Sequence, residues 1–309
     1  MIAPVQIILP VYNGLPYLSE AISSVFAQTA THWNLTLVDD GSTDGSREAM
    51  KCYTDPRVRT IYNSRNYGLY GSLARVVRQL PSAWVVILMQ DDLLKPSYLE
   101  NMLGLAEKQT DCAAFWAAID EINEAGGLIG SGLNTGRVEI IEPGTEAWID
   151  GLRRGCFWII SGSFTHADLL HELPFNESYP HCGDYDWLLR VLLQARIAYY
   201  ENPLTQIRIH SRSAGAGNLV QGTDVPEGYA IVRDNCRIHA SRLSRMEVFD
   251  ICRRRATPTV RRAASALWHG KPAVAVRLLG YSLQFGLLPL IYSLGGNSAG
   301  SKCSSANLT

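Results

Sequence analysis

The sequence predicts an α/β protein, built on a mainly parallel sheet with helices packed against it. Two observations carry that reading. Four apolar runs, VQIILPV (5–11), LTLV (35–38), VRTIYNS (58–64) and WVVILM (84–89), alternate with segments of helical periodicity over the first hundred residues. Alternation of that kind builds a parallel sheet wound with helices. Three of the four runs then stop on polar clusters: Tyr12-Asn13-Gly14, the DDGSTD of 39–44, and Gln90-Asp91-Asp92. Such sheets bind ligands beyond the carboxyl ends of their strands, so the three clusters are expected to meet in one crevice.

Each element has its own justification. Leu18, Ile22, Val25 and Phe26 recur at helical spacing after the first run. SREAMKCYTD reads as a second helix with Asp44 or Ser46 near its cap, and GSLARVVRQL (71–80) as a third. Farther along, AAFWAAIDEI reads as a strand, EAGGLIGSGLNTG as a glycine-rich loop, TEAWIDGLRR as a helix and FWIISGSF as strand-like. DYDWLLRVLLQA (184–195) is amphipathic and helical; IAYYEN and TQIRIH read as two strands, and GAGNLVQGTDVPEG as a mobile loop. From about Tyr229 the chain is helical and basic. Its segment 273–294 is apolar but interrupted by Arg277, Gln284 and Pro289, which suits an interfacial or core helix better than a membrane span.

Composition excludes a disordered chain: 47% of the 309 residues are apolar and 18% charged. The formal charge of −1 hides an asymmetry. Between Arg237 and Arg277 stand ten Lys/Arg against two Asp/Glu, a local +8 that leaves −9 elsewhere. An anionic partner is therefore expected at the tail, a membrane surface rather than nucleic acid, for which no module is recognisable. Seven scattered cysteines without a CxxC pair suit a reducing compartment and argue against a disulfide framework or a structural zinc site. No basic n-region precedes the first strand, so a cytoplasmic location is expected, peripheral on the inner face of the plasma membrane if the tail docks there.

The polar clusters carry the chemistry. A carboxylate at a strand's end can accept hydrogen bonds from a base or a ribose, a role open to Asp39 and Asp40, whereas Asp44 reads as a helix cap. Asp91 and Asp92 follow a buried strand, and Mg2+ is often held by one or two carboxylates plus substrate phosphates. Asp184 opens a helix, where an acid is ordinary electrostatics, but set over the crevice it could serve as a general base. Arg208 and His210, two apart on a strand, face one side together and suit a diphosphate or its metal.

In this order the pieces resemble the inverting family-2 nucleotide-sugar glycosyltransferases. LPVYNG precedes a helix and DDGSTDGS follows the second strand; NYGLYGSL, QDDLLKPSYL, FNESYPHCGDYDWLLR and PLTQIRIH complete the set over about residues 4–213. The resemblance implies the GT-A fold, a Rossmann-like, mixed, mainly parallel sheet flanked by helices with a helical C-terminal extension. A catalytic domain over 1–228, a basic helical extension over 229–296 and a disordered tail over 297–309 are the expected parts. Pro10, Val11, Tyr12 and Asn13 would line the base pocket, with Asp39 accepting the N3 hydrogen of uracil or thymine, Asp40 supporting it, and Asn66 and Gly68 nearby. Asp91 would hold Mg2+ or Mn2+, with Asp92 beside it and His210 close. Arg208 and His210 would serve the diphosphate, Asp184 would be the base, and Gly162 and Ser163 (with Ser161 before them), Asp186 and Trp187 would lie at the acceptor.

Three positions depart from the family pattern. Met89 stands where an Asp often precedes the metal ligand, leaving Gln90 to replace its ribose contact. Gly183 stands where a Glu precedes the base, and Leu73 and Ala74 where an Arg and an Asn follow the NxGL motif, with Arg75 close by. The implied reaction is inverting transfer of a sugar from a nucleoside-diphosphate donor, UDP or dTDP favoured, to a hydroxyl of a saccharide or lipid-linked saccharide in bacterial surface polysaccharide or glycolipid assembly. Two other classes compete. A catalytically silent nucleotide-sugar-binding subunit, favoured by Met89 and Gly183, would bind donor without turnover. A nucleotidyltransferase would want a glycine-rich loop bearing Arg or Lys after the first strand, and YNGLPYL lacks it.

Overall fold

All seven residues of the first strand, β1 (Val5–Val11), are buried, which is why it reads as a continuous apolar run rather than an alternating one. The computed structural model describes residues 3–295, so the expected disordered tail lies outside the described residues. After β1 come α1 (Leu18–Phe26), β2 (Trp33–Asp39), α2 (Ser46–Met50), β3 (Val58–Tyr62), α3 (Leu69–Val77) and β4 (Trp84–Ile87). The middle of the chain holds β5 (Leu93–Leu94), α4 (Tyr98–Lys108), β6 (Ala114–Ile122), β7 (Leu128–Ser131), β8 (Val138–Ile141), α5 (Thr145–Arg154), β9 (Ser163–His166), α6 (Ala167–Glu172), α7 (Gly183–Gln194) and β10 (Ile197–Arg208). Four helices follow: α8 (Ala214–Gln221), α9 (Asp224–Ile238), α10 (Arg245–Trp268) and α11 (Pro272–Gly295).

The sheet runs β3-β2-β1-β4-β9-β6-β10-β5, with β7 on β6 and β8 on β10. Strands β3, β2, β1 and β4 are mutually parallel. Strand β9 is antiparallel to both β4 and β6, so β6 points the same way as β4, and β10 is parallel to β6. The carboxyl ends of β1, β2, β3, β4 and β10 therefore emerge along one edge. Leu18, Ala21, Ile22 and Val25 of α1 bury against β1 and β2 in the main core, which Tyr98 and Met102 of α4 extend.

The chain divides into two compact units, one of residues 1–148 with 156–213, the other of residues 149–155 with the helices from Ala214 onward. In the second unit Val225, Ala263 and Leu278 form a small core, and Asp224 takes Arg262 in two hydrogen bonds of 2.8 Å. Ser244 and Glu247 close a capping box at the start of α10. Among the described residues no helix is long and apolar enough to cross a membrane, and the six cysteines are free thiols.

Several local expectations are corrected. Helix α2 stops at Met50, and its cap position is Gly45 at φ 94°, a left-handed conformation that glycine adopts without strain. The glycine-rich loop contains β7, because Asn123 closes a tight turn (Asn123 N to Gly127 O, 2.8 Å) that folds β7 back on β6. FWIISGSF is strand only from Ser163 onward. IAYYEN and TQIR are one strand, β10, with the register on β6 shifting between Tyr200 and Thr205; Ile209 and His210 lie just past its end. Residues 214–221 and 224–228 are helical rather than a mobile loop, with Val225 buried in the second unit's core.

Candidate active site

The opening turn and the acidic turn are laced together. Asn13, at φ 52°, donates its backbone N–H to Ser42 Oγ (3.0 Å) and accepts from Thr43 N on Oδ1 (2.8 Å). Gly14 N reaches Ser46 Oγ at 2.9 Å, and Leu15 N reaches Asp44 Oδ2 at 2.9 Å. Burial pushes the Asp44 carboxyl up, but hydrogen bonds from Ser46 and Leu15 outweigh it and hold the group below its ordinary range. Gln90 clamps Tyr12 from the third cluster, accepting from Tyr12 N (2.8 Å) and donating to Tyr12 O (3.1 Å). A Cβ on Gly14 would fall 2.8 Å from Gln90 Oε1, so this glycine makes room for the clamp. Pro10 and Val11 end β1 in the interior, while the Tyr12 ring is half exposed.

Asp39 and Asp40 divide two tasks. Asp39, fully buried, accepts Ser42 N on Oδ1 (3.1 Å) and Arg47 Nε on Oδ2 (2.9 Å). Asp40 Oδ1 gathers Asn63 Nδ2 (2.9 Å), Tyr67 N (2.9 Å) and Ser72 Oγ (2.8 Å), tying β2 to β3 and α3. Asn66 Oδ1 accepts from Gly68 N (2.8 Å), starting α3 at a glycine with φ +76°. A Cβ at Gly41 would lie 3.0 Å from Asn66 N, so the DDG turn packs directly on the NYG loop.

At the end of β4, Asp91 Oδ2 meets His210 Nε2 at 2.9 Å. Asp92 turns inward, accepting Arg208 N on Oδ1 (2.9 Å), with Ser161 also hydrogen-bonded to it. Burial, then the charge of Asp91, pushes its carboxyl up to about 7. Arg208 is buried with every donated bond inside the protein: Nε to Asp91 O, Nη1 to Asn123 O and Glu124 O, and Nη2 to Glu20 (2.7 Å). It converges on Asp91 with His210, although His210 lies past the end of β10 rather than on one strand face with it, and it does so as a structural strut rather than an open diphosphate ligand. An exposed cation beside them is Arg212, whose guanidinium lies over Tyr17 at 5.7 Å, with His210 on the same ring at 4.9 Å. Sequence reasoning missed it; its place two residues past His210 was the available signal.

Among the described residues no three His, Cys, Asp or Glu side chains gather as a metal cluster. The donor set suits a metal of a different kind. Asp91 and His210 present a carboxylate and an imidazole nitrogen side by side, and His210 Nδ1 is buried without a hydrogen-bond partner. Such a pair could hold a divalent cation whose other positions are filled by phosphate oxygens and water.

Asp184 stands in the first turn of α7, with Oδ1 accepting Tyr185 N at 2.8 Å and hydrogen bonds from the Tyr70 hydroxyl and the Cys156 thiol. Burial raises its carboxyl above the ordinary value, and these hydrogen bonds only partly offset that. The residues expected at the acceptor are engaged internally. Trp187 is buried with Nε1 on Leu173 O (2.8 Å), and Asp186 holds Arg190 one turn on (3.0 Å). Ser163 is buried in β9, Gly162 at φ +75° packs on Thr205, and Ser161 serves Met89 N and Asp92.

Comparisons with known proteins bear on the family and the fold. The sequence model described as Glycosyl transferase family 2 matches residues 6–161. An uncharacterized glycosyltransferase of Haemophilus influenzae is 26% identical over 226 residues, 69% of this chain and 67% of the relative. The putative teichuronic acid biosynthesis glycosyltransferase TuaG of Bacillus subtilis is 33% identical over 36% of this chain and 45% of its own. The chondroitin synthase of Escherichia coli is 29% identical over 60% of this chain, which spans only 26% of that protein. Among solved structures, S. aureus TarS 1–349 in complex with UDP-GlcNAc superposes with a TM-score of 0.57 at 14% identity, covering 94% of this chain and 92% of that one. The likeness to TarS bears on the fold, which is the mixed α/β architecture that the motif order implies. Since the family's sequence model takes in more than half of the chain, including the turns that meet at the sheet edge, the protein belongs to glycosyl transferase family 2 and is a glycosyltransferase.

Proposed function

We propose that this glycosyltransferase moves a sugar, with inversion, from a UDP- or dTDP-sugar to an acceptor hydroxyl on a saccharide or lipid-linked saccharide. The observation that carries the reading is the lacing of the YNG, DDGSTD, NYG and QDD turns around Asp39, Asp40 and Gln90 at one sheet edge. Asp39 and the half-exposed Tyr12 ring take the base, and Arg212 in place of Arg208 takes the diphosphate. Asp91 and His210 would hold Mg2+ or Mn2+, and a bound divalent cation would supply neutralisation of charge on the diphosphate leaving group. Asp184 takes the proton of the attacking hydroxyl, a role worth roughly 10²–10⁴ in rate. A base must be ionised, so turnover rises with pH through a value above the usual carboxylate range and is lost below it. With Asp184 as the base and the acceptor hydroxyl as the attacking group, attack comes from the face opposite the leaving group and inverts the anomeric centre.

The relatives named for teichuronic acid and chondroitin synthesis, and the TarS structures holding UDP and UDP-GlcNAc, support a polysaccharide acceptor and a uridine donor. The second unit docks on an anionic membrane surface: Val276, Leu279, Leu283 and Leu287 form an exposed apolar stripe on α11, and Arg245, Arg253, Arg254 and Arg261 are exposed on α10.

Calorimetric titration with UDP, dTDP and GDP, each with and without Mn2+, tests the donor reading. UDP or dTDP is expected to bind only with the metal. Binding of none, or binding indifferent to metal, contradicts it.

A further inference from the structure

The ring of Tyr70 lies against the α-carbon of the residue before Asp184. A Cβ built on Gly183 would fall 2.6 Å from Tyr70 Cδ2, 2.7 Å from Cε2 and 2.8 Å from Cγ. No side chain fits there unless the ring leaves, so Gly183 is the residue that the approach of α3 to α7 requires. Phe175 packs on the same ring at 5.5 Å, and Trp187, one turn along α7, packs on Phe175 at 5.5 Å. The phenol is thus buried and held, and its hydroxyl accepts the Asp184 backbone N–H while hydrogen-bonding the Asp184 carboxylate. Burial and the charge of Asp184 raise the phenol's own pKa well above the ordinary value, so it remains a donor throughout the working pH range.

We propose that Tyr70 is the positioning residue of the catalytic base: through the contact that Gly183 permits, its hydroxyl fixes the Asp184 carboxylate with one face left for the acceptor hydroxyl. The inference rests on the reading of Asp184 as the base. A donor aimed at the carboxylate does two things. It selects one rotamer, and it favours the charged form against the burial that opposes it. Among the described residues, the Cys156 thiol, from the loop after α5, also hydrogen-bonds Asp184, and Cys182, just before α7, acts on that thiol. Glu177 reaches the neighbouring Gly71, where a Cβ would lie 3.4 Å from its Oε2.

The test reads ionisation and turnover separately. Carboxyl-13C NMR of aspartate-labelled protein follows the Asp184 titration, with the resonance assigned by its loss in Asp184→Asn. Tyr70→Phe, which removes only the hydroxyl, is expected to raise the Asp184 midpoint by about one pH unit. It should also lower the rate of UDP release from UDP-N-acetylglucosamine in Mn2+, with water as acceptor, about tenfold while UDP affinity stays within twofold. Gly183→Ala, which pushes the ring away but keeps the hydroxyl, should do the same. The double variant should be no worse than either single one. An unmoved Asp184 midpoint in Tyr70→Phe, or an unchanged rate despite a moved midpoint, overturns the proposal. Full turnover in Asp184→Asn would instead overturn the assignment of the base, an outcome the Tyr70 titration cannot imitate.

Discussion

A single carboxylate oxygen shows how this site is made rigid. Asp40 Oδ1 collects three donors, from the residue after β3, the NYG loop and α3, so the strand end, the loop and the helix start cannot move independently. Gln90 does the same for the first turn through its two bonds to Tyr12. Gly14→Ala should expel the Gln90 amide and release Tyr12, weakening nucleotide binding about tenfold, or about 1.4 kcal/mol. Gln90→Leu should reproduce the loss without altering the turn; calorimetric affinities unchanged in both would contradict a nucleotide role for the clamp. At this scale the sequence was legible where residue type dictates chemistry. Asp44 does bond the first turn of α2, as turn preference suggests, although Gly45 holds the cap position, and Asp91 stands beside His210 as the family resemblance implies. The inward turn of Asp92 and the burial of Arg208 were not legible, because the first depends on Ser161 and the Arg208 backbone and the second on Glu20 and Asn123, all remote in sequence.

Among the elements, the first hundred residues were read nearly as they fold, since buried parallel strands and amphipathic helices leave opposite periodicities. The middle was harder. Strand β7 is made of glycine-rich sequence whose pairing comes from β6, and α8 is rich in Ala and Gly, a composition shared by loops. Helix α11 is the element with a test of its own. Its exposed Val276, Leu283 and Leu287 recur at helical spacing, so the proposed docking face is a property of one helix. The full chain is expected to co-sediment with vesicles containing phosphatidylglycerol, and Leu283→Glu with Leu287→Glu to leave it in the supernatant at moderate salt. Failure of the unaltered chain to sediment contradicts docking.

For the whole molecule, sheet topology does the gathering. One antiparallel strand, β9, inserted between β4 and β6 leaves β10 pointing with the parallel group, and this brings His210 to the edge where β4 delivers Asp91. Asp184 reaches its place through α3, whose first turn starts beside the DDG loop and carries Tyr70 onto α7. Motif order along the chain was enough to foresee the family and its fold, whereas the partners of each side chain became visible only with the strands in register. The most direct measurement is the rate of UDP release from UDP-N-acetylglucosamine by Asp184→Asn beside the unaltered enzyme, with UDP affinity measured on both. The account predicts at least a hundredfold loss of rate, about 2.7 kcal/mol of transition-state stabilisation, with affinity within twofold. Equal rates would contradict it.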